Sequence, residues 1–126
     1  MPDHTSSPPP RRLGRTELEI SPIGLGCWQL GGDWGEVSAE TAHQIMGAAV
    51  DGGIRFFDTA DVYGAGRSES LIGDFLRENP KEIFVATKLG RFSAPGWPEN
   101  FTEDAVRKHT EASLKRLDAE ALDLTG

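Results

Sequence analysis

Short apolar runs alternate with stretches of helical periodicity along this chain, and no other feature restricts its fold as strongly. Residues 23–28, 55–58, 82–88 and 121–125 read as strands. Between the first two, Ala42, Ile45, Met46 and Ala49 recur at i, i+3, i+4 and i+7, which predicts a helix over 38–51. Leu71, Ile72, Phe75 and Leu76 mark a second helix over 68–77, and a third runs from 102 to 117. Strands separated by helices require a parallel sheet with right-handed crossovers, either doubly wound or closed as a barrel.

Local signals set the boundaries. Ser38 and Thr102 stand where N-caps belong, with Glu40, Glu103 and Asp104 suited to the positive helix ends. Gly52-Gly53 and Asn79-Pro80 end the first two helices. Before the first strand, residues 12–13 and 18–20 flank a loop containing Gly14 and read as a short hairpin, which Ser21-Pro22 breaks off. Ser6-Ser7-Pro8-Pro9-Pro10 makes residues 1–11 a disordered tail, leaving 12–126 as one domain.

Composition excludes several functions. Thirteen Lys and Arg against twenty Asp and Glu give a net charge of -7, and no basic block extends beyond Arg11-Arg12, so no nucleic-acid partner is expected. No apolar run reaches membrane-spanning length and none resembles a secretory leader. The single cysteine, Cys27, permits no internal disulfide and fits a reducing compartment; a cytoplasmic location is expected.

The glycine motifs disfavour the doubly wound alternative. Gly24-Leu25-Gly26 has Gln29 where a dinucleotide fingerprint needs its third glycine, and Gly64-Ala65-Gly66 has Glu69 there. In a barrel the functional rim is formed by the carboxyl ends of the strands. Alternation puts Phe56 and Asp58 on one face of the second strand, and Phe84, Ala86 and Lys88 on one face of the third. A partly desolvated Lys88 requires a carboxylate, which Asp58 can supply, and Tyr63 on the following loop can lean over the pair. A cation about 4 Å from a phenol contributes on the order of 4 kcal/mol at an effective dielectric of ~20, enough to make tyrosine a useful acid. Tyr63 is then suited to protonate a carbonyl oxygen while a bound cofactor delivers hydride to the carbon. Taken singly, an Asp-Lys pair is more often structural and a lone tyrosine more often packs. A carboxylate pair of Asp58 with Asp61 is a third option, but without a neighbouring His no metal site is expected.

Three separated motifs carry a family resemblance. Gly53-Ile54-Arg55-Phe56-Phe57-Asp58-Thr59-Ala60, then Tyr63-Gly64, then Ser68-Glu69-Ser70-Leu71-Ile72-Gly73 is similar to the signature of the aldo-keto reductases, especially bacterial members with long loops. Val85-Ala86-Thr87-Lys88 resembles their lysine strand and Gly24-Leu25-Gly26-Cys27-Trp28 their first barrel strand. The resemblance covers residues 12–126. It implies the N-terminal portion of a (β/α)8 TIM barrel, about four β/α units preceded by a hairpin closing the bottom. The implied activity is NADPH-dependent reduction of a small-molecule aldehyde or ketone to an alcohol. Tyr63 would be the general acid, Lys88 would lower its pKa, and Asp58 would hold Lys88. Gly26, Cys27 and Trp28, with Asp58, would lie at the nicotinamide end, and Trp28 would also wall the substrate pocket. The loop carrying Trp97 would be a substrate lid or would pack onto the rim.

The family's fourth catalytic residue is a His after a segment like Leu122-Asp123-Leu124, which none of His4, His43 and His109 supplies. The later strands that bind the cofactor phosphates have no counterpart either, so a truncated copy is expected. The alternative is a non-catalytic half-barrel or assembly module. Four strands leave two edges and an inner face bearing Phe56 and Phe84 without partners, and self-association through that face is expected.

Overall fold

The computed structural model describes residues 8–32 and 35–126. The expected tail therefore falls largely outside the described residues, as does His4. Strands β1 (Arg11–Arg12) and β2 (Glu19–Ile20) pair antiparallel, with Arg11 opposite Ile20. The hairpin thus begins at Arg11, a residue assigned to the tail on sequence grounds.

Next come β3 (Leu25–Gly26), α1 (Ala39–Asp51), β4 (Phe56–Asp58), α2 (Arg67–Glu78), β5 (Phe84–Thr87), α3 (Glu103–Leu117) and β6 (Leu124–Thr125). The four later strands are all parallel and lie in the order β3-β4-β5-β6. Each strand therefore pairs with the next in the chain across one helix. A doubly wound sheet reverses its strand order at a switch point, so this progression is that of a partial α/β barrel.

The caps form as expected. Ser38 Oγ accepts the Thr41 amide at 3.1 Å, and Thr102 Oγ1 accepts that of Ala105 at 3.2 Å. After α1, the left-handed residue is Gly53, at φ 96°. The first strand is shorter than the apolar run predicts. Ser21 Oγ donates to the Ile23 carbonyl at 2.6 Å and accepts the Arg55 amide at 2.8 Å, turning the chain so that Ile23 is 61% exposed. Pairing has ended before Trp28, which precedes a 3-10 turn at Gln29–Gly31. At the other edge Asp123 spends its side chain on the Val85 amide, at 2.9 Å, and the strand reduces to Leu124–Thr125.

Alternation divides the side chains between two faces. Phe57 and Val85 enter a core with Cys27, Met46, Ile72, Phe75 and Leu117 beneath the helices. Complete burial of Phe57 contributes about 1.5–3 kcal/mol. Phe56 and Phe84 project from the opposite face and stack at 5.5 Å. A cleft of about 740 Å³ lies between the hairpin and the amino ends of β4 and β5, lined by Leu18, Ile20, Arg55 and Phe84. It is at the far end of the sheet from Asp58 and Lys88. No helix among the described residues is long and apolar enough to cross a membrane.

Candidate active site

Asp58 is the last residue of β4 and Lys88 the first after β5, so neighbouring strands bring them to one rim. The Lys88 ammonium donates to Asp58 Oδ1 at 2.6 Å, to the Thr59 carbonyl at 2.8 Å and to the Tyr63 hydroxyl at 3.5 Å. It also lies 5.3 Å from the Tyr63 ring centroid. Partial burial pushes the Lys88 pKa down, but the hydrogen bond and charge of Asp58, with Tyr63 adding to them, more than offset this and leave it raised. Lys88 is thus a cation throughout the neutral range. The Asp58 and Lys88 side chains are half exposed, so solvent screens the pair and its role in stability is small.

Tyr63 is seated by a contact between two turns. The turn Tyr63–Gly66 follows β4, and Gln29–Gly31 follows β3. They meet where a Cβ on Gly31 would lie 2.5 Å from the Gly64 nitrogen and 2.6 Å from the Tyr63 carbonyl carbon. Gly64 itself has φ 62°, a conformation that excludes most side chains. This approach stacks Trp28 on Tyr63, with centroids 5.9 Å apart and planes at 23°. Trp28 remains 47% exposed and presents an apolar surface beside the Tyr63 ring.

Gly26 pairs with Asp58 across the ladder, and a Cβ there would meet no heavy atom within 4 Å. It leaves an open floor next to the trio. Cys27, expected at the same cofactor end, turns the other way. Alternation drives its thiol into the core at 0% exposure, where burial and then the Asp58 charge raise its pKa to about 12. Only its backbone borders the rim. Trp97 is 81% exposed and meets Phe101 edge-on at 5.4 Å. Its loop is tied by Asn100, whose amide donates to the Gly90 and Phe92 carbonyls at 3.0 and 2.6 Å.

The carboxylate pair considered for Asp58 and Asp61 does not share the rim. Asp61 is 1% exposed, and neither of its oxygens has a side-chain hydrogen-bond partner. Burial raises its pKa and the Glu69 charge adds to this; His109, Arg116 and the Val62 amide oppose it. Among the described residues no three His, Cys, Asp or Glu side chains gather as a metal site. Sequence reasoning assigned no chemistry to Thr59, Thr87, Ser68 or Glu69, all buried directly behind the rim. For Thr59 and Thr87 strand alternation was the available signal, because a residue adjacent to a rim charge must face the helices.

The chain matches the Aldo/keto reductase family over residues 22–125. It is 46% identical over 88 residues to pyridoxal 4-dehydrogenase of Microbacterium luteolum, which covers 70% of this chain and 26% of that protein. The holo form of a Bacillus halodurans aldo-keto reductase superposes with a TM-score of 0.73 at 32% identity, over 92% of this chain and 38% of the other. A Klebsiella pneumoniae aldo-keto reductase in complex with NADPH gives 0.68 at 25% identity, over 85% and 34%. The chain spans between 26% and 42% of the length of the curated relatives it matches. A match running from the first parallel strand to the last, on a sheet that follows the same progression as these barrels, means that the chain belongs to the aldo-keto reductase family.

Proposed function

We propose that this rim carries the proton-transfer part of an NADPH-dependent reduction of an aldehyde or ketone to an alcohol. One observation carries the reading: a single ammonium contacts both a carboxylate, at 2.6 Å, and a phenol, at 3.5 Å, at the carboxyl ends of adjacent strands. The Tyr63 hydroxyl gives its proton to the carbonyl oxygen, and the Lys88 charge stabilises the phenolate left behind. Asp58 keeps Lys88 charged and fixes its direction. Trp28 supplies a flat apolar surface that excludes water and orients the substrate.

The cofactor reading has support at the floor of the rim. Gly26, opposite Asp58 in the ladder, leaves open space that fits the flat nicotinamide end, and Gly26, Trp28 and Asp58 would hold it. NADPH, when bound, supplies the hydride that the carbonyl carbon gains. The NADPH complex of the Klebsiella relative favours this cofactor, and the single cysteine accords with a cytoplasmic setting.

The test is NADPH titration against tryptophan fluorescence, with cofactor oxidation followed on a reactive aldehyde. Saturable quenching and turnover are expected, with Tyr63→Phe lowering turnover by about 10²–10⁴ while binding persists. The absence of both quenching and turnover in the 126-residue chain would sink the reading for it. That outcome would favour the second reading, an assembly module. It rests on the stacked Phe56 and Phe84, on a face that no helix covers among the described residues, and on the sheet edges at β3 and β6. Sedimentation velocity then separates the two, since a monomer at all concentrations rules out self-association through that face.

A further inference from the structure

The first turn of α2 lies directly behind the rim, and two consecutive side chains there reach the carboxyl ends of three different strands. Ser68 and Glu69 are both 0% exposed. Ser68 Oγ donates to the Cys27 carbonyl at 2.8 Å, which leaves it to accept the Thr59 hydroxyl at 2.7 Å. Glu69 Oε2 accepts the Thr87 hydroxyl at 2.7 Å. Its other oxygen is held by Arg116, at 2.8 Å from Nε and 2.7 Å from Nη2. The Arg116 side chain in turn lies across Gly66, where a Cβ would meet its Cδ at 2.7 Å.

Each partner is next in the chain to a rim residue: Cys27 to Trp28, Thr59 to Asp58, Thr87 to Lys88. Thr59 also presents to Lys88 the carbonyl that accepts its ammonium at 2.8 Å. A buried carboxylate is costly unless it is paired and fully hydrogen-bonded, and Glu69 meets that condition only with Arg116 and Thr87 both in place. Geometry of this kind is rigid because each group has one satisfied arrangement.

We infer that Ser68 and Glu69 are positioning residues for the reduction proposed above, fixing from behind the backbone positions that aim Trp28, Asp58 and Lys88 at Tyr63. The inference rests on that reading of the rim, but it can be tested without turnover. Tyr63 is the only tyrosine of the chain, so a tyrosine-labelled sample gives one ring to observe. In the 126-residue chain, nuclear Overhauser contacts between the Tyr63 ring and the Lys88 side chain are expected. Ser68→Ala and Thr87→Val should keep the dispersed amide spectrum and weaken these contacts several-fold, while Thr87→Ser, which retains the hydroxyl, restores them.

Where the chain turns over an aldehyde, the same two variants should lose about ten- to a hundredfold in kcat with KM little changed. Glu69→Gln removes a charge that Arg116 needs and is expected to unfold more readily; Thr87→Val removes only one hydroxyl and decides the matter if Glu69→Gln does not fold. Unchanged contacts in folded Ser68→Ala and Thr87→Val would overturn the inference, as would their absence in the unmodified chain. Intact contacts that weaken as expected, without any turnover, would uphold the positioning and remove the reaction instead.

Discussion

Replacing Gly31 with alanine tests how the rim is assembled without touching any group that does chemistry. The added Cβ would lie 2.5 Å from the Gly64 nitrogen and 2.6 Å from the Tyr63 carbonyl carbon, against an ordinary contact of at least 3.4 Å. Those neighbours are backbone, so no side chain can rotate away. The turn after β3 must withdraw from the turn after β4 by about 1 Å, an overpacking that typically costs 1–3 kcal/mol. Part of the loss is the stack of Trp28 on Tyr63, which at 5.9 Å lies within the favourable range for aromatic pairs, worth about 0.5–1.5 kcal/mol. Gly31 is not in the left-handed region, so backbone strain does not confuse the result. Urea unfolding should show the lower midpoint at unchanged slope, and near-ultraviolet circular dichroism should lose the signal of the paired rings. A midpoint within error of the parent, with the aromatic signal intact, would refute the claim that the two turns seat Tyr63 by close backbone approach.

Two further substitutions probe the buried layer. Asp61→Asn should stabilise the chain at neutral pH, with the sign set by linkage. Burial raises the folded pKa of Asp61 above the ordinary 3.8, so the folded state binds the proton more tightly than the unfolded one. The penalty on the carboxylate is absent below the unfolded value and grows as pH rises toward the folded one. Urea midpoints of variant and parent should therefore coincide in acid and separate with rising pH; a constant difference would contradict the burial argument. Gly73→Ala decides between propensity and packing. Alanine in a helix interior ordinarily gains about 1 kcal/mol over glycine, but here the Cβ would strike the Arg116 carbonyl and approach Leu117 to 3.1 Å. A lower melting temperature is expected, and a higher one would mean that α2 and α3 are not in close contact.

The elements and their order were legible because periodicity and caps are local. Ser38 and Thr102 cap the helices as their positions predict, and the burial of Phe57 against the half-covered Phe56 follows from alternation alone. Strand lengths were not legible. The apolar run at 23–28 reads as one strand, yet pairing is limited to Leu25–Gly26, because Ser21 ties the Ile23 carbonyl and Trp28 is drawn into the turn facing Tyr63. Neither cause is legible locally: the Ser21 hydroxyl is also anchored by the Arg55 amide, and Trp28 meets Tyr63, both residues distant in the chain. Cys27 shows the same limit: its motif placed it at the cofactor end, while the pleat put its thiol in the core.

Alternation also explains why the hidden layer lies where it does. A parallel strand that ends in a rim charge must turn the adjacent residue toward the helices, where an apolar side chain would pack but could not fix the strand end in rotation. A hydroxyl can, provided the helix offers a buried acceptor within reach. Thr59 and Thr87 provide the hydroxyls on neighbouring strands, and Ser68-Glu69 provides both acceptors from one helical turn. Thr87→Val preserves shape and volume closely and deletes only the hydroxyl, so a packing role predicts nearly unchanged stability and an undisturbed Lys88. The hydrogen-bonded role predicts that Glu69 loses a buried donor, destabilising the chain by about 1–3 kcal/mol and releasing the strand end that carries the ammonium. Urea unfolding of Thr87→Val against Thr87→Ser distinguishes them, and equal stability of the two would return Thr87 to the apolar core.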